Sequence, residues 1–163
     1  MTGAALLSLA LGLLLRPLAL RRWPPVPLCC PWVPLALVGV EVLGVLAGLP
    51  LQGAVYLGVF LWVGFNRHPA LLPLLLGTGF NGLAILVHGG MPVDPRALER
   101  AGLGRTASFL EAKGDGLHFL GPAFPLGDWI ALPGRVLSPG DLLICLSLFL
   151  VAMRGVRYDK EGS

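Results

Sequence analysis

The sequence predicts an all-α, polytopic transmembrane bundle of about five helices, with one outer segment that contains a short helix. The chain of 163 residues is 55% hydrophobic and only 13% charged, and its mean hydropathy is +0.79. Soluble domains carry about 25% charged residues, so this composition is typical of a protein embedded in a bilayer. Spans of roughly 20 residues and their loops account for the whole length, which predicts one integral membrane domain over residues 1–163.

Five apolar runs are the predicted membrane spans. The first run precedes a group of arginines, whereas a secretory signal peptide has its basic residues first, so we expect a retained helix. A four-span arrangement, in which this run is cleaved or lies at the interface, is the alternative. The predicted spans are residues 2–20, 32–49, 51–65, 70–87 and 139–153.

Basic residues in the short connections predict the orientation of the helices. They follow the first and third runs and also occur in the tail, and the positive-inside rule places those segments in the cytoplasm. We therefore expect a multi-pass protein of a bacterial cytoplasmic (inner) membrane, with its N-terminus outside and its C-terminus inside. The Gly-rich, Pro-rich and lysine-poor composition suggests the bacterial source. The basic residues are Arg16, Arg21, Arg22, Arg67, Arg154, Arg157 and Lys160.

The stretch ILVHGGMPVDP, residues 85–95, is the predicted exit from the membrane. The apolar run ends at His88, and Gly89 and Gly90 can adopt the positive φ angles that end a helix. Met91 follows, and Pro92 prevents the helix from resuming. We expect a rigid turn at the outer interface.

Residues 88–138 form the predicted outer segment, in which five acidic and five basic residues balance. Asp94 followed by Pro95 is typical of a helix start, with the aspartate as N-cap and the proline at the first helical position. The sequence therefore predicts a short interfacial helix between Asp94 and Lys113.

Asp128 and Asp141 are the candidate catalytic residues. Both lie near the outer face in the predicted topology, and two carboxylates that are brought together can share a proton and activate water. This part of the chain also distantly resembles the end of lipoprotein signal peptidases, where a second aspartate opens the last helix. The alternative is structural, because Ser138 as N-cap, Pro139 at the first helical position and Asp141 near the positive helix end make a complete helix start.

Glu41 is the other candidate polar residue, because it lies in the middle of the second predicted span. A carboxyl group near the bilayer centre is costly unless it is paired or protonated, so such residues often belong to an ion or substrate path. The partners that the sequence offers are Asn81, Gln52 or a backbone carbonyl in another helix. The alternative is a protonated Glu41 that is hydrogen-bonded for packing.

No motif indicates a cofactor or a metal. Asn81, His88 and His118 can form a polar cluster on the outer side, but the histidines lack the spacing of zinc sites. The adjacent Cys29 and Cys30 are interpreted as reduced, packed thiols. We expect no cofactor, no metal and no nucleic-acid partner, because no basic patch is interleaved with aromatic residues.

Three stretches carry a family resemblance: FNGLAILVHGGMPV, LHFLGPAFPLGDWIALP and LSPGDLLICLSLFLV, between Phe80 and Val151. Together they resemble the small bacterial membrane proteins of the family called domain of unknown function 5317. That family has a helix exit like NGG-x-MPV, a loop like L-x-D-x-(I)-P and an SxGD start to its last helix. The resemblance implies identity and topology, and no activity.

The family motifs fall on individual positions of this chain. Asp128 matches the acid of the loop, and His88 stands where the family usually has asparagine, with one spacer residue fewer before Met91. The other matching residues are Gly89, Gly90, Met91, Pro92, Ser138, Gly140 and Asp141.

The function that the sequence favours is that of a non-catalytic accessory or assembly subunit, which acts through its outer segment. Its expected partners are the lipid bilayer and a larger membrane protein complex. Two alternatives stay open: a membrane-embedded aspartyl hydrolase that uses Asp128 and Asp141, and a small-solute or ion carrier that uses Glu41.

Overall fold

The protein is mostly helical, as the sequence predicts, and short strands connect its helices. The computed structural model describes residues 2–19, 23–47, 49, 51–112 and 118–158. The α-helices are α1 (Thr2–Ala19), α2 (Val33–Ala47), α3 (Gln52–Asn66), α4 (Leu72–His88, preceded by a 3₁₀ turn at Pro69–Leu71), α5 (Pro95–Arg100), α6 (Gly104–Ala112) and α7 (Pro139–Arg154). The strands, which the sequence analysis did not predict, are β1 (Val26–Leu28), β2 (Met91–Val93), β3 (His118–Leu120), β4 (Ile130–Leu132), β5 (Arg135–Leu137) and β6 (Val156–Tyr158).

A helix is present at each of the five predicted spans, but helix length does not support five membrane crossings. Within the described part of the chain, one helical stretch, Pro69–His88, is long and apolar enough to cross a bilayer by length and composition. The helices α2 and α3 have 15 residues each, which is about 23 Å at 1.5 Å per residue against a hydrocarbon core of about 30 Å. The prolines and glycines that bound these helices set their lengths.

The chain divides into two compact units, and the first consists of residues 1–78 and 143–163. Its core lies where β1, α3 and the 3₁₀ turn meet, and it is filled by apolar side chains. Ser147 of α7 donates a hydrogen bond of 2.7 Å to the Ala70 carbonyl oxygen, so the buried hydroxyl is satisfied. The buried residues of this core are Val26, Leu28, Trp62, Val63, Ala70 and Leu71.

A parallel pair of strands joins distant parts of the first unit. Val26–Leu28 of β1 pairs with Val156–Tyr158 of β6, and the Val26 N–H donates to the Gly155 carbonyl oxygen at 2.9 Å. Gly155 has φ 75° and lies against the Arg16 guanidinium. Glycine fits this position because a side chain would strain the left-handed backbone and collide with the arginine.

The second unit consists of residues 79–142 and contains the predicted outer segment. Asp94 caps α5 by accepting the Arg96 N–H, with Pro95 in the first turn, as the sequence predicts. The single helix predicted between Asp94 and Lys113 is wrong, because the chain turns at Gly102 (φ 74°) and α6 begins afresh. Lys113 lies outside the described residues.

Strand β2 is the centre of the second unit. Met91–Val93 pairs in parallel with His118–Leu120 of β3. On its other side the Asp128 N–H donates to the Pro92 carbonyl oxygen, and the Asp94 N–H donates to the Asp128 carbonyl oxygen, each at 2.9 Å. The apolar core beside it contains Val93, Leu98 and Leu110. The exit turn therefore continues into a strand with partners on both sides.

We predict that Gly127→Ala destabilises the second unit. A Cβ at Gly127 would lie 2.6 Å from the Pro92 carbonyl oxygen, so the backbone contact between Pro92 and Asp128 has to open. The expected loss is about 1–3 kcal/mol of unfolding free energy, measured by denaturant unfolding of the purified protein. Gly79→Ala is the matched control, because no atom lies within 4 Å of a Cβ there and alanine favours the helix. Equal stabilities of the two variants would contradict this account of the strand contact.

Candidate functional site

The first residue of the candidate site is Asp141, which caps the first turn of α7 together with Ser138. The Ser138 hydroxyl oxygen accepts the Asp141 N–H at 3.0 Å, and an Asp141 carboxylate oxygen accepts the Ser138 N–H at 3.4 Å. This reciprocal arrangement is a capping box with aspartate in place of the usual glutamate. The helix start expected from Ser138, Pro139 and Asp141 is therefore present, and it places a carboxylate at the positive end of the helix.

Asn81 of α4 completes a buried polar network with this helix start. Its side-chain amide donates to Asp141 Oδ1 at 2.9 Å, and its Oδ1 accepts the Ser138 hydroxyl at 2.8 Å. Asn81 and Ser138 are 1% and 0% exposed. Because a buried polar group without a partner costs about 1–3 kcal/mol, this closed set of hydrogen bonds strongly favours a single arrangement of the three side chains.

Asp128 places a second carboxyl group close to the network. Its backbone is fixed against Pro92 of β2 and Asp94, and only 9% of the residue is exposed. The Nε2 atom of His118, at the start of β3, is 3.9 Å from Asp128 Oδ2. That distance is too long for a hydrogen bond, so the contact is electrostatic.

Burial and, to a smaller extent, the negative charge of Asp141 raise the pKa of Asp128 from 3.8 to about 7, and His118 opposes this rise. A carboxyl group in an apolar setting beside another carboxylate loses its ordinary acidity for these two reasons. Asp128 can therefore bind and release a proton near neutral pH, which is the property that general acid–base catalysis or a pH-sensitive contact requires.

The two candidate catalytic residues thus interact electrostatically, but their surroundings differ. Both carboxylate oxygens of Asp141 accept hydrogen bonds from Asn81 and Ser138. Asp128 contacts β2 through its backbone groups. Asp141 is thus engaged in structural hydrogen bonds, and Asp128 is the member of the pair whose pKa is raised to about 7.

Asn81, His88 and His118, which the sequence offers as a polar cluster, each contact a different residue. The exposed His88 ring packs edge-on against Phe124 with centroids 4.6 Å apart, while Asn81 bonds to the start of α7 and His118 faces Asp128. The His88 ring therefore has different neighbours from the side chains of Asn81 and His118. Among the residues that the structure describes, no three His, Cys, Asp or Glu side chains are grouped to hold a metal.

The glycines of the exit motif have distinct positions. Gly89 has φ 74° and donates to the Ile85 carbonyl oxygen, which ends α4, whereas Gly90 is buried directly before Met91. Gly140 is buried in the first turn of α7. These residues shape the backbone around the carboxyl pair and bring no reactive group to it.

Glu41 lies in the first unit and is half-buried on α2. It shares a helix face with Leu37, one turn earlier, and Leu37 packs directly against Gly58 of α3. The Asn81 amide, in the second unit, bonds to Ser138 and Asp141. The Gln52 side chain lies outside the described residues. An apolar cleft of about 240 Å³ in this unit is lined by other residues: Leu15, Leu18, Ala19, Trp23 and Met153. The carrier role of Glu41 stays a prediction.

The sequence analysis missed the contact of His118 with Asp128 and the strands that produce it. Residues 118–120 and 91–93 are too short to show the alternating pattern by which strands are identified. The signal that was present is Gly127 before Asp128, because a glycine beside a strand permits a close backbone approach.

We predict that Asp128→Asn removes a pH dependence of stability. Since the folded protein binds the proton more tightly than the unfolded chain, the unfolding free energy of the wild type falls as the pH rises from 3.8 to about 7, by an amount on the order of 2–4 kcal/mol. The variant should lack this fall and be the more stable protein above neutral pH. Thermal unfolding at several pH values measures it, with exposed Glu111→Gln as the control. A wild-type profile that is flat over this window would count against a raised pKa.

A comparison with known protein families assigns the chain to one of them. The model of a family described as a family of unknown function, DUF5317, matches residues 33–153. This range contains the whole carboxyl network and the exit motif. The chain matches no curated protein and no solved structure. Because the matched residues are most of the chain, this protein belongs to the DUF5317 family.

Proposed function

We propose that this chain is a multi-pass integral membrane protein that acts as a non-catalytic accessory or assembly subunit, with residues 88–138 as its contact segment outside the membrane. The observation that carries the proposal is the exposed apolar surface of its helices. Monomeric soluble proteins rarely expose a large contiguous apolar surface, and lipid is the natural solvent for one. The proposal keeps the orientation in which the N-terminus is outside.

The exposed apolar side chains occur on all the long helices. On α1, Leu7, Leu14 and Leu18 are at least 70% exposed, and Leu35 and Leu46 of α2 exceed 75%. Exposed large apolar residues of the other long helices are Leu57, Phe60, Leu61, Phe65, Leu72, Leu76, Leu83, Leu86, Val87, Leu142 and Leu146. A soluble fold would bury such residues, so their exposure favours contact with acyl chains.

The short helices are compatible with this proposal. A hydrophobic helix shorter than the bilayer is accommodated by local thinning or by flanking residues that reach the interface, at a cost of fractions of a kcal/mol per Å. Arg16 and Arg154 lie in the last turns of α1 and α7, where long cationic side chains can extend to the headgroups.

The internal use of the polar groups supports an accessory role over catalysis. The Asn81, Ser138 and Asp141 side chains bond to one another, so these buried polar groups stabilise the fold of the second unit. Phe109 and Trp129 remain largely exposed in this unit, and aromatic residues are enriched where proteins contact partners.

The proposed membrane topology predicts a specific labelling pattern. In a variant without native cysteines, Ser108→Cys in α6 should react with a membrane-impermeant maleimide in intact spheroplasts. Arg157→Cys in β6 should react only after lysis. Both positions are exposed, so a difference in their reactivity shows that they lie on opposite sides of the membrane. Release of the protein by alkaline carbonate, or the reverse labelling pattern, would overturn the proposal.

A membrane-embedded aspartyl hydrolase is the second candidate function. The raised pKa of Asp128 beside the charge of Asp141 favours it, because a carboxyl group that titrates near the working pH can take a proton from water. The hydrogen bonds that already engage both Asp141 oxygens argue for the accessory role instead.

Native size and inhibitor binding separate these two candidates. The accessory role predicts that the 17.2 kDa chain migrates in a larger assembly in mild detergent, and that Phe109→Ser weakens this assembly while Ser108→Ala does not. The hydrolase predicts that a hydroxyl-bearing peptide, an analogue of the tetrahedral intermediate, raises the unfolding temperature of the wild type but not of Asp128→Asn. A lone monomer that binds the analogue would replace the first proposal by the second.

A further inference from the structure

Two adjacent cysteines in the first unit form a feature that the proposed function does not use. Cys29 and Cys30 directly follow β1 and are both half-buried. Their sulfur atoms are 3.6 Å apart, which is an S–H···S hydrogen-bond distance with no covalent bond between them. A disulfide requires about 2.05 Å, so closure needs an approach of roughly 1.5 Å.

Asn66, at the end of α3, holds both backbone groups of Cys29. Its Oδ1 accepts the Cys29 N–H at 2.6 Å, and its Nδ2 donates to the Cys29 carbonyl oxygen at 3.4 Å. The same Nδ2 donates to the Trp62 carbonyl oxygen at 2.8 Å, which fixes the amide on its own helix. One side chain therefore sets the orientation of Cys29.

Trp62 holds the peptide group between the cysteines from the same helix face. Its indole Nε1 donates to the Cys29 and Cys30 carbonyl oxygens, each at 3.1 Å. The indole is part of the buried core with Val26 and Leu28, so it has little freedom to move. The Cys30 carbonyl oxygen also accepts the Val33 N–H at the start of α2.

Cys30 has a backbone conformation that its surroundings impose. Its φ is 51°, in the left-handed region that L-residues other than Gly, Asn and Asp rarely adopt. Such a conformation persists only where neighbouring groups over-determine it, and it is concentrated at functional sites. Here the bonds from Trp62 and Asn66 supply that constraint. The packing of two small thiols requires neither the left-handed backbone at Cys30 nor the hydrogen bonds from Trp62 and Asn66.

We propose that Cys29 and Cys30 are a redox-active vicinal dithiol, which closes to a disulfide by exchange with a low-molecular-weight disulfide or a protein disulfide, and that Trp62 and Asn66 are its positioning residues. The proposal does not depend on the membrane role. It assigns a modification site to the connection between β1 and α2.

The exchange proceeds in two balanced steps. The thiolate of one cysteine attacks a sulfur of the disulfide R–S–S–R, its S–S bond breaks, and one R–S⁻ leaves. The thiolate of the other cysteine then attacks the protein sulfur of the mixed disulfide, the Cys29–Cys30 bond forms, and the second R–S⁻ leaves. The protein loses two electrons, the oxidant gains them, and the two thiol protons are taken up by the leaving thiolates.

A bond between adjacent residues is easily reduced again. Ordinary disulfides join Cα atoms about 4.4–6.8 Å apart, whereas neighbouring Cα atoms are about 3.8 Å apart, so the ring is constrained. Constrained disulfides have higher reduction potentials and are the labile, regulatory ones. The dithiol therefore acts as a reversible sensor of the surrounding thiol–disulfide ratio.

The test uses the full-length protein equilibrated in buffers of graded oxidised and reduced glutathione, followed by acid quenching, alkylation and peptide mass analysis. We expect the peptide that contains both cysteines to lose two hydrogens, to resist alkylation at both positions and to recover with dithiothreitol. Cys29→Ser and Cys30→Ser should instead retain a mixed disulfide. Cys145→Ser, in α7, should oxidise like the wild type. Mixed disulfides alone, or thiols that stay alkylatable in every buffer, would sink the proposal.

A second measurement tests the positioning role of Trp62 and Asn66, which together form the clamp on Cys29. Asn66→Ala should change the equilibrium constant for oxidation by about tenfold or more, since it removes two hydrogen bonds to Cys29. Urea-unfolded wild type should show a similar change, whereas the exposed Thr106→Ala should match the folded wild type. Equal constants for the folded wild type, Asn66→Ala and the unfolded chain would remove the assigned role of the clamp.

Discussion

The second unit depends on one constraint, the satisfaction of the Asp141 carboxylate inside the protein. A buried charge is tolerated only when it is paired or fully hydrogen-bonded. Asp141 meets this requirement with Asn81 from α4 and Ser138 from its own helix start. Because these partners come from both ends of the second unit, a single carboxylate ties the exit of one long helix to the entry of the next.

This constraint also contributes to the chemistry of Asp128. Burial makes ionisation of Asp128 unfavourable, and the neighbouring Asp141 carboxyl group adds to the effect. The pKa of Asp128 consequently lies at about 7, although the residue belongs to an ordinary strand contact. A structural anion and a titrating neighbour thus arise from the same small network.

Short motifs gave correct local predictions, whereas most contacts between distant segments were not predicted. The Ser138 and Asp94 caps, the Gly89 helix end and the positions of the long helices follow from residues a few places apart in the chain. The contact between His118 and Asp128, the pairing of β2 with β3 and the clamp of Trp62 and Asn66 on Cys29 all join distant segments. The possible grouping of His88 with Asn81 rested on helical spacing alone, whereas Asn81 bonds to Asp141 and His88 packs against Phe124.

The sequence by itself determined that the chain is mostly helical, where its long helices lie and which residues begin and end them, because apolar periodicity and capping are local interactions. It also identified the family through the motifs that now line the carboxyl network. Only the tertiary structure decided which carboxyl group has a raised pKa, which side chains bond to the Cys29 backbone and which strands exist. Those properties arise from burial and from contacts such as that of Asn81 with Asp141, 60 residues apart. Local sequence patterns do not specify which distant residues will surround a side chain.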